Sequence, residues 1–129
     1  MTDLRKHDPN KVSNPDNNIF GLPTNEEDSR LIIVPVPWEV TVSYGAGTAR
    51  APEAILKASL QVDLFDPDMP EAWKQGFYMR PSDKKILMKS DFLRKEAELY
   101  IDYITRGDEV APNQFTCKGL KEVNEGGEY

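Results

Sequence analysis

Leu31-Ile32-Ile33-Val34-Pro35-Val36, then Pro37-Trp38-Glu39-Val40-Thr41-Val42-Ser43-Tyr44-Gly45-Ala46-Gly47-Thr48-Ala49-Arg50, then Ala51-Pro52-Glu53-Ala54-Ile55-Leu56-Lys57-Ala58-Ser59, is the stretch whose reading decides the fold. It opens on a continuous apolar run rich in β-branched residues, the pattern of a strand buried on both faces in a parallel sheet. Pro35 and Pro37 have no N–H to give a ladder, so the strand stops near them. Pro37 to Arg50 reads as a loop, with Gly45 and Gly47 supplying backbone freedom. A helix is predicted to start at Pro52, because proline at the first helical position loses no needed hydrogen bond and has a suitable φ. Glu53 then places a negative charge where the helix dipole favours it. Ala54, Ile55 and Ala58 form a narrow apolar stripe at helical spacing, small enough to let the helix lie close to a sheet.

Upstream, residues 1–29 read as an extended N-terminal arm. Pro9, Asn10, Asn14, Pro15, Asp16, Asn17 and Asn18 favour turns and exposed backbone. Ile19-Phe20-Gly21-Leu22-Pro23 is an apolar island within it, read as a strap over core edges in preference to a partner-docking element. Residues 30–129 are then the body of the chain. Leu60-Gln61-Val62-Asp63-Leu64-Phe65-Asp66 alternates apolar and polar and predicts a second, half-exposed strand ended by Pro67. Met69 to Gly76 reads as a short turn or helix carrying Trp73, and Phe77-Tyr78-Met79 as a short extended segment stopped by Pro81. Ser90 is read as the N-cap of the longest helix, Asp91 to Arg106, with Leu93, Ala97, Tyr100, Ile101 and Ile104 on one face and Gly107 as its stop. Ala111-Pro112-Asn113 is a break, and a further helix is predicted from Gln114 onward.

Composition narrows the function classes. Of 129 residues, 39% are hydrophobic and 29% charged, which fits a soluble protein on the polar side. The net charge of −6, with basic residues scattered beside acids, argues against nucleic-acid binding. Cys117 is the single cysteine, so no intrachain disulfide forms, and a reducing cytoplasm is the expected location. The N-terminus has no apolar core of a signal peptide, and the longest apolar run, Leu31 to Trp38, is too short to span a bilayer, so no membrane association is expected.

Strand, long loop, helix and strand in that order imply an α/β class with a parallel sheet. Two strands do not complete such a sheet, so the chain reads as the beginning of a larger domain. Residues 37–59 also resemble the ureohydrolase family, whose members include arginase, agmatinase and formimidoylglutamase. The family's first strand ends in a Pro-aromatic-acid step, then a Thr-x-Ser-Tyr loop with glycines, then a Gly-Pro-x-Ala-Ile helix start closed by Ala-Ser. Trp38, Glu39, Thr41, Ser43, Tyr44, Gly45, Gly47, Pro52, Ala54, Ile55, Ala58 and Ser59 match in order, with Ala51 where the family has glycine. Phe20-Gly21-Leu22-Pro23 and Val62-Asp63-Leu64-Phe65-Asp66 resemble its agmatinase/formimidoylglutamase branch.

The resemblance implies the N-terminal portion of a three-layer α/β/α sandwich with a parallel sheet, incomplete in this chain. It implies hydrolysis of a guanidino or formimino C–N bond by a hydroxide bridging two Mn2+ ions, which lower the pKa of the bound water. In the complete protein it implies a small guanidino or formimino substrate and a homo-oligomer. Family metal ligands come from Gly-Gly-Asp-His, Asp-x-His-x-Asp and Asp-x-Asp motifs. The single histidine here is His7, in the arm. Asp66-Pro67-Asp68 has the Asp-x-Asp form, but the proline reads as a turn and the family has no ligand there. Gly126-Gly127-Glu128-Tyr129 follows no apolar strand, and a phenol is a poor substitute for imidazole on manganese.

No metal ligand and no catalytic residue is therefore assigned in this chain, and no metal or activity is expected of it alone. The candidates left are Glu39, Thr41, Ser43 and Tyr44. They lie in a loop leaving the carboxyl end of a strand, where open α/β sheets bind ligands. The residues leave open whether they contact a substrate or fold the loop on itself. A non-catalytic interaction module derived from the same fold, binding through an unfinished sheet edge, is the alternative. Gly45-Ala46-Gly47-Thr48-Ala49-Arg50 lacks the third glycine of a dinucleotide fingerprint and lies too far past the strand. Cys117 with His7 has nothing to orient a nucleophile and base. Trp73, Phe77 and Tyr78 read as packing residues in preference to a stacking platform.

Overall fold

The computed structural model describes residues 4, 7–8, 11–42, 44–106 and 114–127, and the side chains of 114–116 are not among the described atoms. The chain divides into two compact units: Met1–Pro35 with Arg50–Ser82, and Val36–Ala49 with Asp83–Tyr129. It is an α/β protein, with a small parallel sheet in the first unit and a helix pair in the second.

In the first unit, strand β1 (Leu31–Ile33) pairs in parallel with β2 (Phe77–Met79), in the register Leu31 to Phe77 and Ile33 to Met79. The ladder's last bond runs from Arg80 N–H to Ile33 O at 2.9 Å. Beyond it the two prolines end the strand as their missing N–H groups require. Helix α1 (Ala51–Ser59) has Pro52 in its first turn and Glu53 beside the dipole's positive end. The apolar island 19–23 contains a single 3-10 turn, Ile19–Gly21, and buries Ile19 and Leu22. Ser59 Oγ closes it onto α1 by accepting from Phe20 N–H at 2.9 Å.

Two expectations for this unit are corrected. Residues 60–66 form no strand: Asp63 Oδ1 accepts from Phe65 N–H at 2.9 Å, and Asp66 Oδ1 from Asp68 N–H at 2.8 Å. These aspartates satisfy backbone donors locally and so compete with a ladder. The partner of β1 is instead the short segment 77–79. The α1 stripe of Ala54, Ile55 and Ala58 faces solvent, with Ile55 55% exposed, while Ser59 is the buried residue. Only two strands are present among the described residues, so the sheet is too narrow to cover it.

In the second unit, α2 (Lys84–Thr105) starts seven residues earlier than expected. Asp83, not Ser90, is its N-cap, its Oδ1 accepting from Lys85 N–H at 2.7 Å. Ser90 is fully buried inside the helix. Helix α3 (Gln114–Gly127) packs against α2. Leu93 and Ala97 form a buried cluster with Val40, flanked by Trp38, Ile101 and Val123. Gly126 packs closely on that cluster: a Cβ on it would stand 2.5 Å from Leu93 Cδ1, so the leucine would have to move. Gly107, residues 111–113, Glu128 and Tyr129 lie outside the described residues.

Candidate functional site

The loop that carries the sequence candidates belongs to the second unit, and its base is fixed to α2. Pro37 is fully buried and anchors the entry. Glu39 N–H then donates to Ser90 Oγ at 2.9 Å. At the next position, Val40 turns inward against Leu93 and Ala97. Arg94 Nη1 donates to Glu39 O at 3.2 Å and to Val42 O at 2.8 Å, spanning the turn that Val40 enters. Glu98 orients the guanidinium by accepting from Arg94 Nε at 2.9 Å. A planar, always-charged fork suits this task, since it reaches two carbonyl acceptors and a carboxylate at once.

The far side of the loop is closed by Glu39 itself. Its Oε2 accepts from Gly47 N–H at 2.8 Å and from Ala49 N–H at 3.0 Å. The Ala49 and Gly47 N–H groups hold this carboxyl below the usual carboxylate range, with a smaller contribution from the positive charge of Arg94. Gly47, at φ 135°, and Gly45, at φ 66°, occupy backbone conformations that residues with a Cβ rarely adopt.

These bonds separate the four candidates. Glu39 points back into the loop and its carboxylate is an anchor. Thr41 is exposed, and Tyr44 is 95% exposed at the loop's apex. Ser43 lies outside the described residues. Sequence reasoning missed Ser90 and Arg94. Both are ordinary residues on a long polar helix, and no spacing marks them as loop supports. The earlier N-cap was available as a signal: Pro81-Ser82-Asp83 ahead of Lys84-Lys85-Ile86-Leu87 is a stop followed by a cap and helix formers. An apolar cavity of about 530 Å3 lies beside the loop's entry, with Val36, Trp38 and Ile86 among its walls and Lys85 and Lys89 at its lining. Among the described residues no three His, Cys, Asp or Glu side chains come together as a metal site, and no helix is long and apolar enough to cross a membrane. His7 lies against Trp73, ring centroids 5.6 Å apart, in the first unit.

Part of this chain is similar to proteins of known activity. A stretch of 46 residues is 39% identical to an N(1)-aminopropylagmatine ureohydrolase of Synechocystis, and one of 48 residues is 40% identical to an N(1)-aminopropylagmatine ureohydrolase of Thermus thermophilus. A protein of the same name from a second strain of Thermus thermophilus is 41% identical over 39 residues. The resemblance is to the ureohydrolases. It extends over 36% of this chain and only 15% of the Synechocystis ureohydrolase, or 16% of the first Thermus one. The chain thus matches a minor part of the length of these ureohydrolases. No family model and no solved structure matches it.

Proposed function

We propose that the chain is the N-terminal portion of a metal-dependent ureohydrolase that hydrolyses the C–N bond of a guanidino substrate. The observation that carries this reading is the identity of about two residues in five to three proteins named N(1)-aminopropylagmatine ureohydrolase. Those names favour a guanidino group on an agmatine-like chain over a formimino one. In this reading β1 and α1 are the opening units of a three-layer α/β/α sandwich, and the complete protein is a cytoplasmic homo-oligomer. Thr41 and Tyr44 face the substrate, and Glu39 shapes the loop that presents them.

Two Mn2+ ions are the metal such an enzyme uses to activate water. The described residues do not fit that pair, because they bring no three ligating side chains together. The reading therefore assigns metal ligands and the hydrolytic step to polypeptide outside the described residues, and gives this chain the task of holding one loop. The 129-residue chain, dialysed against manganese, is expected to retain no stoichiometric metal and to release no urea from agmatine. Metal-dependent urea release from it would refute that assignment.

A second reading is an interaction module derived from the same fold. The observation in its favour is the sheet, in which β1 is paired on one side only among the described residues. The coding sequence downstream of the Tyr129 codon discriminates the two. A frame continuing into Gly-Gly-Asp-His, whose product releases urea with manganese, establishes the first. A stop codon there, with a stably folded product, favours the second.

A further inference from the structure

The two edges of the small sheet differ. Along a strand, successive residues direct their backbone groups to alternate sides. Leu31 N–H donates to Gly76 O at 3.3 Å and Arg80 N–H donates to Ile33 O at 2.9 Å, so Leu31 and Ile33 face β2. Ile32 and Val34 consequently direct their N–H and C=O groups away from it. By the same alternation Phe77 and Met79 direct theirs away from β1.

On the β2 side, side chains occupy the Phe77 C=O and both the N–H and the C=O of Met79. Thr24 Oγ1 donates to Phe77 O at 2.6 Å. Met79 N–H donates to Asn18 Oδ1 at 2.6 Å, and Asn18 Nδ2 donates back to Met79 O at 3.1 Å. A carboxamide has the donor and acceptor of a peptide group, so Asn18 takes the place of one residue of a neighbouring strand. The amide is itself oriented by Ile19 N–H, which donates to its Oδ1 at 2.7 Å. Phe20 packs edge-on against Phe77, ring centroids 5.5 Å apart, across the same edge. Along β1 no strand lies on the outer side among the described residues, and Val34 is 58% exposed.

We infer that residues 18–24 are an edge stop, which bars strand addition at β2 and confines sheet-edge pairing between copies of this chain to β1. The consequence is a limit on size. A sheet with one open edge that pairs with a second copy has no edge left, so assembly ends at two molecules. A sheet with two open edges exposes a new one with every copy added and has no natural end.

The test is sedimentation velocity on the full chain across a range of concentrations, with the wild type beside an Asn18→Ala, Thr24→Val variant. Wild type is expected to form nothing larger than a dimer. The variant is expected to form species beyond a dimer that grow with concentration. Hydrogen exchange at the Met79 amide should quicken by about tenfold or more, while the Leu93 and Ala97 amides of the second unit stay unchanged. Asn18→Asp, which at neutral pH keeps the acceptor for Met79 N–H and loses the donor to Met79 O, should fall between. A variant with the wild-type size distribution overturns the inference, as does a wild type that assembles past a dimer. Loss of protection throughout β1 and β2 with no larger species also overturns it, because residues 18–24 would then be a scaffold.

Discussion

Residues 19–24 and residues 39–49 are both irregular, and both are held by side chains bonded to backbone groups, yet they end in opposite states. The first segment buries its apolar side chains, with Leu22 fully covered and Thr24 nearly so. Its Gly21 is hemmed in: a Cβ there would stand 2.5 Å from that of Ser13. The second is pinned at its ends by Ser90, Arg94 and Glu39 and leaves its middle open. A Cβ added to Gly45 or Gly47 would meet nothing within 4 Å, and Tyr44 stands in solvent. A segment that must close a fold commits its apolar groups to the core. A segment that presents side chains is fixed at its base and kept bare at its apex.

That contrast can be broken in order of effect. Leu22→Ala should be the most damaging change, at about 2–5 kcal/mol, since it deletes a fully buried side chain from a small unit. Urea denaturation followed by Trp73 emission, in a Trp38→Phe background that silences the second tryptophan, checks it. Arg94→Ala should cost about 1.5–3 kcal/mol, the range for hydrogen bonds to a charged group. Amide exchange should then quicken across residues 39–49 while residues 19–24 stay protected. Equal loss in both segments would end the claim that they are held independently.

Glu39 provides a pH test. Its carboxyl is lowered in the folded state by the Ala49 and Gly47 N–H groups. Its contribution is thus fully present above the ordinary glutamate value, about 4.3, and is lost as pH falls through the lower folded value. Wild type should lose protection at the Gly47 and Ala49 amides in that acid window, and Glu39→Gln should lack the transition. The smallest effect is expected for Tyr44→Ala, within about 0.5 kcal/mol on stability, because the ring touches little. If the proposed function holds, the same change in an active, manganese-loaded ureohydrolase containing this segment raises KM for the guanidino substrate.

Much of this was legible in residues 31–59. The β-branched run marks β1, the prolines mark its end, and Pro52 marks α1, because each acts through its own backbone chemistry. The candidate loop was legible as a loop, though its division into an anchor and an exposed apex was not. That division depends on the Glu39 carboxylate bonding Gly47 and Ala49 N–H, and on Ser90 and Arg94, which hold the loop's base from 51 and 55 residues along the chain. The strand expected at 60–66 failed because Asp63 and Asp66 bond the backbone locally, an effect that alternation of apolar and polar residues does not register.

The sequence by itself determined the α/β class, the parallel character of β1 and the similarity of part of the chain to ureohydrolases. These rest on local propensity and on residue order, which survive without knowledge of what packs where. Only the tertiary structure decided which segment pairs with β1, which edge of the sheet is closed, and that Glu39 turns inward to hold its loop. The first two depend on groups far apart in the chain meeting, and the third on a carboxylate that reaches N–H groups eight and ten residues on, and no local pattern encodes such meetings.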